Sequence, residues 1–370
     1  MIKALYVHVP FCSYKCPYCD FLSLVNSPVS VRDYLSALKR EINLYRELDV
    51  KLETLYFGGG TPTLLKPEEL GEIIEEIDKV FGLSGVKEIT VECNPETYRK
   101  KEFEELKKLG VNRISVGVQS FTEKGLRVLG RKHTVKDSLE CLESLFEAGI
   151  ENVNVDLIWG WPTQSLKDLE VELEHLKKFP VKHVSAYLLT LYEDTPMGLA
   201  FKRGEFKPLE EEEVVELHKM LSEGLRELGF KRYEISNWAK EGFECRHNLV
   251  YWKMEEFLGV GVSAWGFYEN VRYGNTKNIS KYVKFLKEDK KPVEFRVQLD
   301  ETELEKERIM LGLRTTEGIE EKYLKFVPEY LRDFFEVKGG RLRIKEEHLL
   351  ISNELITEVL RKYESSLNKV

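Results

Sequence analysis

The chain has 370 residues and a formal net charge of -8, with 42% hydrophobic and 32% charged residues. This composition is typical of a soluble globular protein with one large domain and a smaller one. The acidic balance argues against nucleic acid as a partner, because nucleic acid requires a basic surface. No apolar run approaches the ~20 residues of a membrane span. Because the N-terminus enters the first motif without a signal peptide, we expect a cytoplasmic protein whose thiols stay reduced.

Six short strands alternate with amphipathic helices in the first half of the chain. The strands are predicted at 4–9, 54–57, 88–92, 113–118, 152–158 and 183–189. The helices between them are predicted at 31–48, 67–81, 98–109, 135–147 and 165–179. Strands and helices that alternate in this way indicate parallel βαβ units of the α/β class.

The pattern changes in the second half of the chain. A helix at 209–228 and a strand-like stretch at 257–268 come first. From about residue 299, the order helix, helix, β-ribbon, helix predicts a small, mostly helical domain of the winged-helix type, with 319–335 as its second helix. Its mixed charges favour packing or partner contact over DNA binding. We therefore expect a partial barrel at 1–200, a connecting α/β segment at 201–298 and a C-terminal helical domain at 299–370.

Three cysteines, Cys12, Cys16 and Cys19, follow the first predicted strand within eight residues. Soft thiolates this close together suit an iron-sulfur cluster or zinc. A 4Fe-4S cluster usually takes four cysteines, so three would leave one iron open to a substrate. The alternative is a structural zinc site with His8 as the fourth ligand. Disulfides are disfavoured, because cysteine is sparse and nothing indicates secretion.

Every predicted strand ends in a chemically notable sequence. After the cysteine loop, these sequences contain Gly58, Gly59, Gly60, Thr61, Glu92, Gln119 and Asp156. Barrel-like α/β folds build their active sites at the carboxyl ends of the strands. Six units instead of eight predict an incomplete (β/α)6 barrel. The alternative is an open doubly wound sheet, which places ligands at the same strand ends.

The spacing C-x3-C-x2-C, with Tyr18 before the last cysteine, resembles the signature of the radical S-adenosylmethionine (SAM) enzymes. The resemblance implies that Cys12, Cys16 and Cys19 hold a 4Fe-4S cluster. It also implies that the amino and carboxylate groups of SAM bind the open iron. An electron from the cluster, replenished by a reductant, would then cleave SAM to a 5'-deoxyadenosyl radical.

The phrases GGGTP, VECNP, GVQSF and LGRKH resemble the oxygen-independent coproporphyrinogen oxidase group of that family. The resemblance implies SAM contacts at Tyr6, Tyr18, Gly58, Gly59, Gly60, Thr61, Glu92, Gln119, Arg131 and Asp156. Taken singly, such residues are more often caps, turns or surface positions. The planar fork of Arg131 suits a carboxylate, either of SAM or of a tetrapyrrole propionate. In DLIWGW, Trp161 stands where that group has a smaller residue, so the resemblance does not predict the shape of the pocket there.

The stretch HNLVYW, residues 247–252, places a histidine beside two aromatic side chains. Imidazole is an axial heme ligand, and aromatic rings can stack on a tetrapyrrole. On residue types alone, a buried histidine within an aromatic cluster is the commoner arrangement. The stretch resembles the HNxxYW motif of the HemW heme chaperones, which implies heme contacts at His247, Tyr251 and Trp252. Cys245 is more simply an inert buried thiol.

Two departures from the oxidases favour the chaperones. Phe21 stands where the oxidases carry a further cysteine, and their longer extension before the cysteines is missing ahead of Tyr6. We therefore expect a heme chaperone that binds a 4Fe-4S cluster, SAM and heme, and passes heme to an acceptor protein. The alternative is an oxygen-independent coproporphyrinogen III dehydrogenase that removes two propionate carboxyls by radical chemistry. A radical SAM enzyme for an unrelated substrate is the third possibility.

Overall fold

Six parallel strands lie side by side in the order of the sequence. They are β1 (Ile2–Val9), β2 (Val50–Gly59), β3 (Glu88–Cys93), β4 (Arg113–Gln119), β5 (Asn152–Trp159) and β6 (His183–Leu188). The helices among them are α1 (Val31–Asn43), α2 (Pro67–Phe81), α3 (Lys100–Lys108), α4 (Glu123–Val128), α5 (Val135–Glu147) and α6 (Leu166–Lys177). The computed structural model describes residues 1–367, so the last three residues of the predicted C-terminal domain lie outside the described part.

The strand order confirms the incomplete barrel. A doubly wound sheet reverses its strand order at a switch point, whereas β1 to β6 follow one another without reversal. Right-handed crossovers that all step in one direction place the helices on a single face of the sheet. The barrel does not close, because β1 pairs on its outer side with a later parallel strand and β6 with a later antiparallel one.

Side chains alternate between the two faces of this sheet, as β4 illustrates. Its residues 114, 116 and 118 are buried in the hydrophobic core beneath the helices. Its residues 113, 115, 117 and 119 face a large cavity on the other side. Because successive side chains on a strand point to opposite faces, each strand contributes apolar residues to the core and polar residues to the cavity.

The middle of the chain extends the sheet at both edges to twelve strands. Its elements are α7 (Pro196–Lys202), α8 (Glu211–Glu227), β7 (Lys231–Arg232), β8 (Asn237–Ala239), α9 (Arg246–Trp252), β9 (Phe257–Val260), β10 (Trp265–Tyr268), β11 (Val271–Asn275), α10 (Ile279–Lys287) and β12 (Val293–Gln298). The prediction of one strand-like stretch at 257–268 was wrong, because β9 and β10 are antiparallel. The chain reverses at Gly261 and Ser263, whose φ angles are +104° and +63°.

The C-terminal region is largely helical, as predicted, and has its own hydrophobic cluster between Ile309 and Tyr363. It contains α11 (Glu301–Gly312), β13 (Ile319–Glu320), β14 (Phe335–Lys338), β15 (Arg341–Ile344) and α12 (Ser352–Leu367). The second predicted helix was wrong. Residues 321–326 and 329–334 form two short 3-10 helices around Pro328, because proline lacks the N–H of a continuous helix. Three strands replace the predicted pair.

The domain boundaries at 200/201 and 298/299 stay predictions. The segment 201–298 shares one sheet with the barrel strands, through the pairing of β1 with β9 and of β6 with β8. Within residues 1–367, no helix combines the length and the apolar character that a bilayer span requires.

A buried carboxyl group ties this extension of the sheet to the barrel. Glu41, on α1, accepts hydrogen bonds from the Gly261 N–H (2.7 Å), the Asn275 Nδ2 (2.6 Å) and the Tyr282 hydroxyl (2.5 Å). These donors belong to the β9–β10 turn, to β11 and to α10. Burial raises the pKa of Glu41 to about 7, so the folded chain retains a proton that the unfolded chain releases near pH 4.5.

We expect stability to fall as the pH rises through this window, because the folded state binds the extra proton. The contribution of Glu41 is fully present below about pH 4.5 and is lost by about pH 7, which amounts to about 3 kcal/mol. Glu41→Gln should remove this part of the slope and make the stability profile shallower, whereas Glu47→Gln, at an exposed position, should leave the profile unchanged. Urea unfolding of the cluster-free chain between pH 5 and pH 8 measures the difference. Parallel profiles for wild type and Glu41→Gln would contradict the expectation.

Candidate functional site

One large cavity lies on the inner face of the curved sheet. It has a volume of about 1190 Å³ and is lined by side chains from β1 to β6, from β8 to β10 and from residues 349–353. Pockets for small molecules are typically about 300–1,000 Å³. The cavity is therefore large enough for more than one ligand.

The cysteine loop lies between β1 and α1 and lines this cavity. Pro10 ends β1, and the loop closes where the Cys12 N–H donates to the Leu24 carbonyl (3.0 Å) and the Leu24 N–H donates to the Pro10 carbonyl (2.7 Å). Cys12, Cys16 and Cys19 are free thiols, and all three face the cavity. Three soft donors in one loop fit the ligand set of an iron-sulfur cluster.

His8 does not join the cysteines as a fourth ligand. Its Nε2 lies 3.0 Å from the Leu22 carbonyl, which can only accept, so Nε2 is the donor. Its Nδ1 then accepts from the Tyr6 hydroxyl at 3.0 Å. Burial lowers the pKa of His8 to about 4, which keeps the ring neutral. These contacts weigh against the structural zinc site.

The ligand geometry points the same way. Among residues 1–367, no three His, Cys, Asp or Glu side chains converge as ligands of a single metal ion. One zinc ion would require such convergence, whereas each cysteine of a 4Fe-4S cluster binds a different iron.

Gly59 and Gly60 let the end of β2 pack against the cysteine loop. Gly59 has a φ of +114°, and a Cβ there would collide with the ring of His8. A Cβ at Gly60 would lie 2.6 Å from the Phe11 carbonyl oxygen. Both glycines line the cavity. The glycine run therefore has a packing role that is independent of any ligand.

Thr61 and Gly58 complete this turn in different ways. The Thr61 Oγ1 lies 3.5 Å from the Cys12 Sγ, and Thr61 lines the cavity. Gly58 is not among the residues, within 1–367, that line the cavity. A Cβ at Gly58 would lie 2.9 Å from the Glu92 Oε2, so its small size leaves room for that carboxylate.

Glu92 presents a carboxylate to the cavity from the end of β3. It accepts hydrogen bonds from the Tyr56 hydroxyl (2.8 Å) and the Gly59 N–H (3.1 Å). Burial raises the pKa of Glu92 to about 7. Because burial disfavours the charged form, a cationic ligand group beside Glu92 would restore its ionisation.

Gln119 lines the cavity from the end of β4 with a φ of +64°. The turn that follows is held by Glu172 of α6, which accepts from the Ser120 Oγ and the Phe121 N–H at 2.5 Å each. Burial raises the pKa of Glu172 to about 7. The buried carboxyl group of Glu172 thus holds the turn that directly follows Gln119.

Asp156 faces the cavity from β5. Its Oδ2 accepts from the Ser115 Oγ (3.1 Å) and its Oδ1 from the Asn154 Nδ2 (2.8 Å). Burial raises the pKa of Asp156. The carboxyl group is therefore oriented by one donor on its own strand and one on β4 before any ligand binds.

Arg131 reaches from the segment after α4 to the cysteine loop. Its Nη1 donates to the Cys16 Sγ (3.2 Å), and its Nη2 donates to the Asn94 Oδ1 (3.0 Å) and the Gly117 carbonyl (2.9 Å). The protein thus engages both terminal nitrogens, while the buried Nε has no hydrogen-bond partner within residues 1–367. Hydrogen bonds to sulfur tune the potential of an iron-sulfur cluster, so this arrangement favours a role through Cys16.

Asn94 is a site residue that the sequence analysis missed. Besides accepting from Arg131, it donates to the Thr61 Oγ1 at 3.1 Å. It therefore links the glycine turn to the arginine beside the cysteine loop. Its position at the end of β3, directly after the Glu92-Cys93 pair, was the available signal.

Tyr18 lines the cavity and packs on a small hydrophobic cluster of Leu129, Ile158 and Trp161. Trp161, the unusual residue of this stretch, is 0% exposed and belongs to that cluster. In the described part of the chain it does not itself line the cavity. The Trp161 side chain therefore affects the shape of the cavity only indirectly, through the packing of Tyr18 against this cluster.

His247 and Arg113 both line the cavity, and the charge of Arg113 acts on His247. Arg113 is the first residue of β4, so they lie toward the amino ends of the strands; we call this end of the cavity the floor. The His247 Nδ1 is 2.8 Å from the Thr54 Oγ1, and its Nε2 is 2.7 Å from the Tyr251 hydroxyl. Burial and the charge of Arg113 lower the pKa of His247 to about 3. The ring is therefore a neutral imidazole, and both its nitrogens have partners.

The structure does not bring all the predicted heme contacts together. His247 and Tyr251 line the large cavity. Trp252 lines a second cavity of about 430 Å³, with Arg308 and Tyr323 from the C-terminal region. Adjacent residues on a helix point about 100° apart, so α9 separates Tyr251 from Trp252. Cys245 is fully buried and lies 3.6 Å from the Glu88 Oε1.

A partial barrel of six parallel strands, with three cysteines at a cavity beyond the first strand, defines a radical SAM protein. The family model described as the Radical SAM superfamily matches residues 6–176. The heme chaperone HemW of Bacillus subtilis is 33% identical over 355 residues, which cover 95% of this chain and 93% of that protein. The heme chaperone HemW of Synechocystis is 32% identical over 382 residues, which cover 98% and 92%. This chain belongs to the HemW family of the radical SAM superfamily.

A solved structure supports the fold over the whole chain. The coproporphyrinogen III oxidase HemN of Escherichia coli, described as a radical SAM enzyme, superposes with a TM-score of 0.82. The match covers 98% of this chain and 90% of that one at 19% identity. At this identity the likeness shows a shared fold.

Proposed function

We propose that this chain is a heme chaperone that binds a 4Fe-4S cluster, SAM and heme, and delivers heme to an acceptor protein. The observation that carries the proposal is a single cavity lined both by the three-cysteine loop and by His247 of the HNxxYW stretch. Membership of a family whose members are named heme chaperones supports it.

The cluster would be held by Cys12, Cys16 and Cys19. When bound, a cluster with an open iron supplies a position for SAM and the electron for its cleavage. Glu92 would receive the SAM amino group, because its carboxylate faces the cavity beside the cysteine loop. The further proposed SAM contacts that line the cavity are Tyr6, Tyr18, Gly59, Gly60, Thr61, Gln119, Arg131 and Asp156.

Heme would bind near the floor, with His247 as the iron ligand. Ligation through Nε2 requires the Tyr251 hydroxyl to leave this nitrogen, because the two atoms are 2.7 Å apart. We therefore expect His247→Ala to weaken heme binding by at least about tenfold. Tyr251→Phe keeps the ring and removes the competing hydroxyl, so its heme affinity should equal or exceed that of wild type. Absorption titration of anaerobically reconstituted protein measures both.

The control is His348→Ala, whose histidine lies in the C-terminal region and does not line the large cavity within residues 1–367. Saturation at one heme per chain, lost in His247→Ala and kept in the control, is the expected outcome. Unsaturable binding that is indifferent to His247 would refute the proposed heme site.

An oxygen-independent coproporphyrinogen III dehydrogenase is the second candidate. The shared fold with the Escherichia coli oxidase favours it, and the cavity has room for a tetrapyrrole beside SAM. Product analysis separates the two functions. Vinyl groups and carbon dioxide formed from coproporphyrinogen would establish the enzyme, whereas a chaperone leaves the propionates intact.

Delivery of heme requires an acceptor protein, and the cluster requires a reductant. We propose that both meet this chain in the cytoplasm, where thiols stay reduced. Transfer of heme from the loaded chain to an apoprotein, followed with and without SAM and reductant, tests this part of the proposal.

A further inference from the structure

A buried arginine on the barrel wall lacks a hydrogen-bond or ion-pair partner in the described part of the chain. Arg113 is the first residue of β4, is 2% exposed and lines the large cavity at its floor. Among residues 1–367, its Nε has no hydrogen-bond partner, and no carboxylate lies within 4.0 Å of the guanidinium. Buried charges are nearly always paired, because an unpaired charge is costly to remove from water.

The nearby carboxylates are engaged elsewhere. Glu88 accepts the backbone N–H groups of Arg246 and His247, at 3.0 Å each. Glu92 and Asp156 accept from the donors described above. The negative charges therefore balance the guanidinium through space, while its fork of N–H donors has no acceptor.

We propose that Arg113 binds a carboxylate of a ligand at the floor of the cavity. This inference rests on the proposed function, whose two organic ligands, SAM and heme, both carry carboxylates. A guanidinium is planar and donates two parallel N–H bonds to a carboxylate, which a lysine ammonium cannot do. The polar inner face of β4 positions this fork before the ligand arrives.

The position of Arg113 favours a heme propionate over the SAM carboxylate. The proposed SAM site lies beside the cysteine loop, at the end of β4 marked by Gln119. Gln119 lies six positions after Arg113, which is about 20 Å along a strand. His247, the proposed iron ligand, shares the floor with Arg113. A heme at the floor would present its iron to His247 and a propionate to Arg113.

The test compares heme with heme dimethyl ester, in which both propionates are esterified. Each is titrated into reconstituted full-length protein, as wild type, Arg113→Met and Arg113→Lys. Wild type should bind heme at least about tenfold more tightly than the ester. Arg113→Met should bind both equally, and Arg113→Lys should fall between, because it keeps the charge and loses the fork. Arg226→Met, at an exposed arginine, should retain the full preference.

SAM affinity, measured on the same variants, distinguishes the two carboxylates. A preference for heme that vanishes in Arg113→Met while SAM affinity stays constant assigns the site to a propionate. Weaker SAM binding with an unchanged heme preference assigns it to the SAM carboxylate.

Unchanged binding of both ligands by the variants overturns the inference about Arg113 and leaves the proposed heme chaperone function intact. If wild type binds no heme, the proposed function fails and SAM alone decides the role of Arg113. If Arg113→Met does not fold, Arg113→Lys carries the comparison.

Discussion

Cys16→Ala is expected to abolish assembly of the iron-sulfur cluster. Cys16 is the most buried of the three cavity cysteines and receives the Arg131 Nη1 at 3.2 Å. Loss of this sulfur would leave two protein ligands, too few to retain a cluster that usually takes four thiolates. Iron and sulfide analysis after anaerobic reconstitution, together with the absorption of the cluster, should show loss of nearly all bound iron.

Cys141→Ala is the matched control. Cys141 is a fully buried free thiol on α5 that does not line the large cavity within residues 1–367. It should keep the iron and sulfide content of wild type. Full iron content in Cys16→Ala would contradict the cluster assignment. Equal rates of heme transfer in Cys16→Ala and wild type would show that delivery does not require the cluster.

Glu92→Gln is expected to weaken SAM binding by at least about tenfold at pH 8. The pKa of Glu92 lies near 7 in the ligand-free protein because of burial. Above pH 7 the carboxylate is charged and would accept hydrogen bonds from the N–H groups of the SAM amino nitrogen. Below pH 7 its proton must leave first, so the affinity of wild type should fall about tenfold more per pH unit than that of Glu92→Gln, which carries no such proton. The variant should keep only the pH dependence of the SAM amino group itself, whose ordinary pKa is about 7.7–8.0.

Glu41→Gln provides the control for that experiment. Glu41 is also fully buried with a pKa raised to about 7, but it lies between α1 and α10, away from the cavity lining. Its substitution should leave both SAM affinity and its pH dependence unchanged. Isothermal titration with SAM between pH 6 and pH 8 measures all three proteins. Parallel pH profiles for wild type and Glu92→Gln would remove Glu92 from the proposed contact with the SAM amino group.

Local patterns in the sequence were sufficient where one element or one turn decides the outcome. The helix at 67–81 was predicted with the bounds of α2, since Pro67 fits the first turn of a helix. The helix at 31–48 was too long, because α1 ends at Asn43. At 257–268, a positive φ at Gly261 divided one predicted strand into two, which the apolar pattern alone does not reveal.

Residues that meet from distant parts of the chain were less predictable. Arg131 and Cys16 are 115 positions apart, and their contact depends on how the segment after α4 packs against the cysteine loop. Arg113 carried one usable signal. It shares the period-2 alternation of β4 with Gln119, which places both on the cavity face. Whether this arginine finds a carboxylate partner depends on the side chains that the other strands place around it, which the sequence of β4 does not show.

The sequence by itself determined the six βα units, the cysteine spacing and the polar strand ends, because backbone geometry sets periods of 2 and 3.6 within short segments. Tertiary structure alone decided that His8 donates to the Leu22 carbonyl and that α9 turns Trp252 away from His247. It also decided that Arg113, at the floor, has no hydrogen-bond partner for its Nε among residues 1–367. These outcomes depend on packing between elements far apart in the chain, where small differences in helix rotation and loop path decide which polar atoms meet.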